Sequence, residues 1–174
     1  PVRAGSLAVA VTHRRELGVA AQLTTVSGID RVVTGAGVIG TGTIGQYVIK
    51  IAKGFGMNVI GYDVYPDDAL AEELGFEYMW MEDLLSKSDI LTLHVPANEK
   101  TYHLISDEEF EQMKDGMILI NTSRGSVVHI QALARALSSG KVAAAGLDVL
   151  PEEPTIREES ELLHSFFREQ YDME

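Results

Sequence analysis

Short apolar runs alternate with longer amphipathic stretches along most of the chain between residues 35 and 148. The runs are continuously apolar, which is typical of strands that are buried on both faces of a parallel sheet. The predicted strands are Ala36–Ile39, Met57–Tyr62, Ile90–Val95, Met117–Ile120 and Val142–Leu147. The pattern therefore predicts an α/β fold in which helices cover both faces of a doubly wound parallel sheet, giving three layers.

The stretches between these strands have the spacing of amphipathic helices. The first helix is predicted over Ile44–Phe55, with Ile44, Val48, Ile51 and Phe55 along one apolar face. The other predicted helices are Pro66–Leu74, Met81–Ser86, Ser106–Met113 and Ser126–Ser138.

The two ends of the chain follow this alternation less closely. Residues 5–17 are expected to form a helix, and the apolar segment Leu7–Val11 within it has no evident partner in the domain. Near the other end, Thr155 and Glu158 have the spacing of a capping box, which predicts an amphipathic helix over residues 156–171.

Composition and charge exclude several classes of site. The 174-residue chain contains no cysteine, which excludes disulfides, thiolate metal sites and cysteine nucleophiles, and no metal site is predicted. Residues 61–174 carry a net charge of −16, which argues against a nucleic-acid partner. No apolar run approaches the roughly 20 residues that span a bilayer. We therefore expect a soluble, cytoplasmic protein without a membrane partner.

A glycine-rich turn, Gly40–Gly45 with the sequence GTGTIG, joins the first predicted strand to the first predicted helix. In this position Gly40 permits a tight turn, Gly42 lets the backbone approach a pyrophosphate, and Gly45 lets the helix pack closely on the strand. The positive end of the helix then faces the phosphates. The turn predicts a dinucleotide site, and the alternative is an ordinary strand–helix connection.

Asp63 ends the second predicted strand, 18 residues after Gly45. A carboxylate at this position can accept hydrogen bonds from the adenine-ribose hydroxyls and repels a 2′-phosphate. It therefore favours NAD over NADP. In the alternative interpretation, Asp63 is an ordinary surface acid.

Further candidate residues follow the next strands. Val95 and Pro96 are expected to form a wall of the cofactor cleft, because ligands of doubly wound sheets bind at the carboxyl edge. Arg124 follows another strand, where its guanidinium can clamp a carboxylate or, alternatively, pair with a surface acid. Asp148 and Glu153 lie 24 and 29 residues beyond Arg124.

Together these segments resemble the D-isomer-specific 2-hydroxyacid dehydrogenases, and most closely the D-lactate dehydrogenase branch. The resemblance covers about residues 35–154 and rests on four motifs in the same order. These are VIGTGTIG (38–45), LHVP (93–96), NTSRG (121–125) and GLDV (146–149) with the following Glu-Glu-Pro.

The resemblance implies three segments. Residues 35–154 would form a Rossmann NAD-binding domain, and residues 1–34 are a poorly matched segment, interpreted as the remnant of a connecting helix. Residues 155–174 would form an acidic helical tail. The family's substrate domain is expected to be absent, which indicates a truncated product or a fragment.

The resemblance also implies the roles of individual residues around the cofactor NAD. The implied contacts are Thr43 and Ile44 with the pyrophosphate, Asp63 with the ribose, Val95, Pro96 and Thr101 along the cleft, Thr122 and Ser123 beside the nicotinamide, and Asp148 with the carboxamide. Arg124 would hold the substrate carboxylate and polarise the keto oxygen. Glu153 would hydrogen-bond a histidine that donates a proton to the ketone.

That histidine belongs to a Pro-His signature in the family, and this sequence contains no Pro-His pair. The five histidines present are His13, His94, His103, His129 and His164. None matches the signature. We therefore expect an NAD-binding oxidoreductase domain that is catalytically incomplete by itself, and a homodimer, since the family generally dimerises through this domain.

Two other functions are consistent with parts of the sequence. An NAD-sensing interaction module of the corepressor kind could use the apolar stripe of residues 155–174 as a docking surface. A domain for another adenosine ligand, such as a methyl donor, would leave Arg124, Asp148 and Glu153 unexplained.

Overall fold

The computed structural model describes residues 34–149 and the separate segment Ala8–Val11. The predicted tail helix over residues 156–171 and the candidate residue Glu153 lie outside the described residues. Five helices are described: α1 Thr43–Gly54, α2 Asp68–Leu74, α3 Met81–Lys87, α4 Asp107–Gln112 and α5 Ile130–Ser139. None of the described helices is long and apolar enough to cross a membrane.

The described strands form one parallel sheet in the order β1-β7-β6-β5-β2-β3-β4. Their bounds are β1 Ala8–Val11, β2 Gly35–Ile39, β3 Asn58–Tyr62, β4 Glu77–Tyr78, β5 Ile90–Leu93, β6 Met117–Asn121 and β7 Val142–Leu147. All five predicted strands are confirmed. The doubly wound α/β class is confirmed as well.

The central strands β2, β5 and β6 are buried on both faces of the sheet, as their continuously apolar sequences predict. Along β2, Ala36 and Val38 pack with α1, whereas Ile39 belongs to the larger cluster that includes residues of α3, α4 and α5. Successive residues of a strand point to opposite faces, so these two clusters lie on opposite sides of the sheet. The result is the predicted three-layer arrangement.

Most of the predicted apolar face of α1 does not pack on the sheet. The residues that α1 buries are Gly45, Val48, Ile49 and Ala52. Of the predicted face only Val48 is buried, whereas Ile44, Ile51 and Phe55 are 64%, 39% and 59% exposed. The cause is Gly45, which packs directly on the carbonyl group of Gly40 and so fixes which side of the helix meets the sheet.

The expected helix over residues 5–17 is also wrong at Ala8–Val11, which is strand β1. Its backbone pairs in parallel with β7, from Ala8 beside Ala144 to Val11 beside Leu147. The expectation that Leu7–Val11 lacks a partner in the domain is therefore wrong for β1. Short apolar runs cannot be assigned to strand or helix by periodicity alone, and here a free sheet edge favours the strand.

The helix predicted over Ser126–Ser138 begins later than expected. A short 3₁₀ turn covers Gly125–Val127, and Val128 then forms a parallel bridge with Ile105. The backbone N–H of His129 donates to the Ile105 carbonyl at 2.9 Å before α5 begins at Ile130. These tertiary hydrogen bonds keep Val128 extended.

Asp89 joins separate segments at the amino edge of the sheet. Its Oδ2 accepts hydrogen bonds from the backbone N–H groups of Thr34 and Gly35 at 3.1 and 2.9 Å, and its Oδ1 accepts one from Lys114 at 3.1 Å. Burial by itself would raise the pKa of this carboxyl, but the hydrogen bonds from Gly35, Thr34 and Lys114 outweigh burial and lower the pKa. Ionised Asp89 therefore stabilises the fold.

Replacing Asp89 with asparagine is expected to lower the free energy of unfolding at pH 7 by about 1–3 kcal/mol, because an amide cannot satisfy all these donors. A carboxyl whose folded-state pKa is lowered stabilises the protein above its unfolded pKa and ceases to do so as the pH falls through the folded value. The difference between the two proteins should therefore shrink below about pH 4. Urea denaturation followed by circular dichroism at several pH values measures it.

Asp83→Asn provides the matched control, because Asp83 is an exposed acid in an i, i+4 pair with Lys87. Its loss should cost less than about 1 kcal/mol. An Asp89→Asn deficit that stays constant down to pH 3 would contradict the assigned role.

Candidate functional site

The carboxyl ends of five neighbouring strands lie in one row across the sheet. Pairing aligns Tyr62, Ile39, Leu93, Asn121 and Leu147. The residues that follow them at the carboxyl edge are Asp63, Gly40, His94, Thr122 and Asp148. With strands roughly 4.8 Å apart, the row from β3 to β7 is about 19 Å long. One edge of the sheet therefore carries the first residue after each of these strands.

The strand order reverses between β2 and β5, and the backbones there approach closely. Gly40 has φ of +91°, and a Cβ on it would lie 2.6 Å from the carbonyl oxygen of His94 and 3.1 Å from Cγ1 of Val95. Only glycine fits this position. In open α/β sheets the crevice at such a reversal is where ligands bind.

The amino end of α1 opens at this crevice. Its N-cap is Gly42, which has no side chain to satisfy the first N–H groups, and its first turn contains no acidic residue. A Cβ on Gly42 would meet no heavy atom within 4 Å, and the side chains of Thr43 and Ile44 are exposed. Helix amino ends of this kind bind anions, because their N–H groups and dipole favour negative charge. These residues fit a pyrophosphate group.

Asp63 is half-buried and contacts the glycine-rich turn directly. Its Oδ2 accepts hydrogen bonds from the backbone N–H of Thr41 at 2.8 Å and from the Thr41 hydroxyl at 3.2 Å. Its Oδ1 accepts one from the backbone N–H of Tyr65 at 3.0 Å. A carboxylate has about four acceptor positions, so Asp63 retains capacity for a further donor.

The end of β5 presents a histidine that is neutral at pH 7. Burial lowers the pKa of His94 to about 4, and its Nε2 lies 2.9 Å from the hydroxyl of Thr92. Beyond it, the chain closes a short loop in which the hydroxyl of Thr101 donates to the Pro96 carbonyl at 2.6 Å. Val95 is half-buried and Pro96 is exposed.

Asn121 organises the turn after β6. Its side-chain oxygen accepts hydrogen bonds from the backbone N–H and hydroxyl of Ser123 at 3.0 and 2.8 Å, and its amide donates to the Arg124 carbonyl at 2.9 Å. Asn121 is 1% exposed, which makes this turn a rigid part of the sheet edge. Thr122 and Ser123 lie half-buried within it.

The guanidinium of Arg124 projects from this turn into solvent. Its Nη1 donates to the carbonyl of Ser123 at 2.7 Å, and no acidic side chain of the described residues forms an ion pair with it. The alternative of pairing with a surface acid is therefore not observed within residues 34–149. A guanidinium has five N–H donors, so most of its capacity remains available for an anion.

The half-buried Asp148 follows β7, and its backbone N–H donates to the Asn121 carbonyl at 3.0 Å. The structure thus brings the glycine-rich turn, Asp63, the 95–101 segment, the 122–124 turn and Asp148 to one edge of the sheet. Their contacts with a cofactor stay predictions. Glu153 lies outside the described residues.

Sequence reasoning missed two residues that shape this edge. Thr41 stands in the glycine-rich turn without an assigned role, yet it forms two hydrogen bonds with Asp63. Asn121 belongs to the motif NTSRG (121–125), but only its fully buried position shows that its side chain holds the turn together. The sequence signal that could have identified Asn121 is a polar residue directly after the apolar run of the predicted strand Met117–Ile120. No sequence signal identifies Thr41.

Comparison with known proteins identifies the family of this chain. The sequence profile described as "D-isomer specific 2-hydroxyacid dehydrogenase, NAD binding domain" matches residues 18–166. The chain is 50% identical over 123 residues to a glyoxylate reductase of Thermococcus litoralis, covering 71% of this chain and 37% of that protein. It is 47% identical over 118 residues to D-lactate dehydrogenase of Escherichia coli, covering 68% of this chain and 36% of that protein.

A solved structure is similar as well. D-lactate dehydrogenase from Aquifex aeolicus, complexed with NAD and lactic acid, superposes with a TM-score of 0.69 at 39% identity, covering 78% of this chain and 43% of that one. The chain spans little more than a third of the length of the curated relatives it matches. It belongs to the D-isomer-specific 2-hydroxyacid dehydrogenase family, of which it carries the NAD-binding domain.

Proposed function

We propose that this chain binds NAD(H) along the carboxyl edge of its sheet and forms the cofactor half of an enzyme that interconverts a 2-keto acid and a D-2-hydroxy acid. The observation that carries the proposal is the single row that places Asp63, the glycine-rich turn and the turn bearing Arg124 along one edge. When bound, NADH supplies the hydride for the reduction. The chain's own residues bind and orient the reactants.

In this proposal the adenosine half of the cofactor lies toward β3 and the nicotinamide half toward β7. The amino end of α1 binds the pyrophosphate through its N–H groups, with Thr43 and Ile44 beside it. Asp63 accepts hydrogen bonds from the ribose hydroxyls, and its charge repels a 2′-phosphate. Val95, Pro96 and Thr101 line the cleft, Thr122 and Ser123 lie beside the nicotinamide, and Asp148 accepts a hydrogen bond from the carboxamide.

Arg124 is proposed to bind the substrate carboxylate and to polarise the keto oxygen. The rigid turn formed by Asn121 supports this role, because a positioned guanidinium can form two parallel hydrogen bonds with a carboxylate. The positive charge would also stabilise the negative charge that develops on the keto oxygen during reduction. The names of the relatives suggest pyruvate and glyoxylate as substrates to test.

Reduction of a ketone also requires a proton donor, and the histidines of the described residues are poorly suited to this task. His94 has a pKa of about 4 and is neutral at pH 7. His103 stacks on His129 with ring centroids 4.5 Å apart, and burial together with the neighbouring His129 lowers the pKa of His103. We propose that Glu153 positions a histidine supplied from outside this chain, and that the chain is catalytically incomplete alone.

We further propose a homodimer that is formed through α1. The apolar residues Tyr47, Ile51 and Phe55, here called the α1 stripe, follow one side of the helix at helical spacing and are all exposed. A stripe on one helix can pack on the same stripe of a second copy across a two-fold axis. Burial of this surface would explain why these three large side chains lie on the outer face of α1.

The first test is calorimetric titration of the chain with NADH and with NADPH. We expect NADH to bind more tightly, and Asp63→Ala to remove most of this preference, because the variant lacks the carboxylate that binds the ribose and repels the 2′-phosphate. The matched control is Asp67→Ala, which changes an acid whose exposed carboxylate only caps α2. Equal binding of the two cofactors by the unaltered chain would contradict the role of Asp63.

The second test is a steady-state assay of NADH oxidation with pyruvate or glyoxylate. We expect the chain alone to oxidise NADH at close to the background rate, because no described residue supplies the proton donor. Turnover in the usual enzyme range of about 1–1000 s⁻¹ would contradict the proposed incompleteness. Loss of that turnover in Arg124→Gln would then identify the arginine as part of a complete site.

The third test measures the mass of the chain by size-exclusion chromatography with light scattering. We expect a dimer, and we expect Ile51→Glu combined with Phe55→Glu to yield a monomer, because charged side chains would have to be buried in the interface. Tyr102→Glu is the control, since Tyr102 is 62% exposed but lies outside α1. A monomeric unaltered chain would refute the proposed interface.

A further inference from the structure

A partly buried hydrogen-bonded network connects β4 to the edge of the sheet where we propose that the cofactor binds. The hydroxyl of Thr41 lies 2.7 Å from the hydroxyl of Tyr78 and 3.2 Å from Oδ2 of Asp63. The three residues come from the glycine-rich turn, the end of β3 and the two-residue strand β4. Thr41 is only 5% exposed, so water has little access to the middle of the network.

The direction of these hydrogen bonds follows from the chemistry of the three groups. A carboxylate has no hydrogen to donate, so Asp63 accepts from the Thr41 hydroxyl. That hydroxyl has one hydrogen, which is then used, so its oxygen accepts the hydrogen of Tyr78. The donors therefore run from Tyr78 through Thr41 to Asp63. Hydrogen bonds in such a chain polarise and strengthen one another.

The packing around Tyr78 holds its hydroxyl in place. The ring of Tyr78 meets that of Phe76 edge to face, with centroids 4.9 Å apart. Gly61 pairs with Tyr78 across β3 and β4, and a Cβ on Gly61 would lie 2.7 Å from Phe76 and 3.2 Å from Cγ2 of Thr41. The absence of a side chain at Gly61 is what lets Thr41 and the Phe76 ring approach β3. This explains how a strand of two residues contributes to the site.

We propose that Tyr78 is a positioning residue for cofactor selection, which acts through Thr41 to hold the carboxylate of Asp63 in the orientation that favours NAD(H) over NADP(H). The proposal rests on the proposed binding of NAD(H). Two donors from Thr41 occupy Oδ2, so the carboxylate is fixed against the glycine-rich turn and its remaining acceptor positions have a defined direction. Without Tyr78, the Thr41 hydroxyl loses the donor that fixes its rotation, and the carboxylate is held less firmly.

The test compares Kd values for NADH and NADPH in Tyr78→Phe, which removes one oxygen atom and keeps the ring that packs on Phe76. We expect the Kd for NADH to rise about three- to tenfold, as for the loss of one hydrogen bond. The Kd for NADPH should change by less than twofold, because its 2′-phosphate is repelled by Asp63 rather than bound. Tyr65→Phe is the matched control, since its side chain is 86% exposed and its contact with Asp63 is through the backbone.

A double-mutant cycle separates positioning from a merely structural role. In the Asp63→Ala background, Tyr78→Phe should change the Kd for NADH by less than twofold, because the group through which Tyr78 acts is gone. Thr41→Ser, which keeps the hydroxyl, should retain the cofactor preference, and Thr41→Val, which removes the hydroxyl, should lose it.

Four outcomes would overturn the inference. An unchanged Kd for NADH in Tyr78→Phe, or an equal rise for both cofactors, would show that Tyr78 does not act on selection. The same rise in the Asp63→Ala background would show that it acts on the fold instead. If the unaltered chain binds neither cofactor, the proposed function fails, and this inference fails with it. If NADH binds in a way that depends on Asp63 but Tyr78→Phe has no effect, only the inference is refuted.

Discussion

The contact between Gly45 and the carbonyl group of Gly40 determines most of what surrounds the site. A side chain at position 45 could not be accommodated there, so α1 meets the sheet at this point and in one rotation only. That rotation buries Val48, Ile49 and Ala52 and leaves the first turn of the helix open at the carboxyl edge. The same contact therefore sets both the position of the amino end of α1, where we propose that the pyrophosphate binds, and the apolar stripe on the outer side of the helix.

The site depends on turns that buried polar residues make rigid. The side chain of Asn121 donates a hydrogen bond to the carbonyl of Arg124 and so holds the turn that carries this arginine, and Thr41 joins the glycine-rich turn to Asp63. Both residues are almost fully buried. Each forms its side-chain hydrogen bonds with residues at the carboxyl edge of the sheet. Residues with proposed binding roles are thus held by buried residues that have no proposed contact with the ligand.

Much of the fold could be predicted from the sequence, because strands buried on both faces leave long apolar runs. Those runs identify β2, β3, β5, β6 and β7 to within two residues at each end. Strand β4 has two residues and no pattern of its own, since it exists through pairing with β3. The pattern predicts a helix where β1 lies, because four apolar residues fit either structure and pairing with the edge of β7 decides between them.

The candidate site was predictable to a similar extent and for a related reason. Glycine spacing and a charged residue after a strand are local signals, and they identify the turn at Gly40 and the positions of Asp63 and Arg124. The bonds of Thr41 depend on atoms that are distant in sequence, since Thr41 and Asp63 are 22 residues apart. The rotation of α1 depends on how closely Gly45 approaches the Gly40 carbonyl in three dimensions, although the two glycines are near in sequence. Periodicity within one helix or one turn carries no information about such contacts.

The pairing of β1 with β7 has a consequence for how the domain folds. Ala8 lies beside Ala144, so the two strands join positions near opposite ends of the described chain. Contacts between such distant residues require a large loop to close, and they slow folding relative to contacts between neighbours. The strands from β2 to β7 can assemble through successive short connections, and β1 can add to the edge of β7 only after that strand is in place. The first of the described strands is therefore expected to be the last of them to join the sheet.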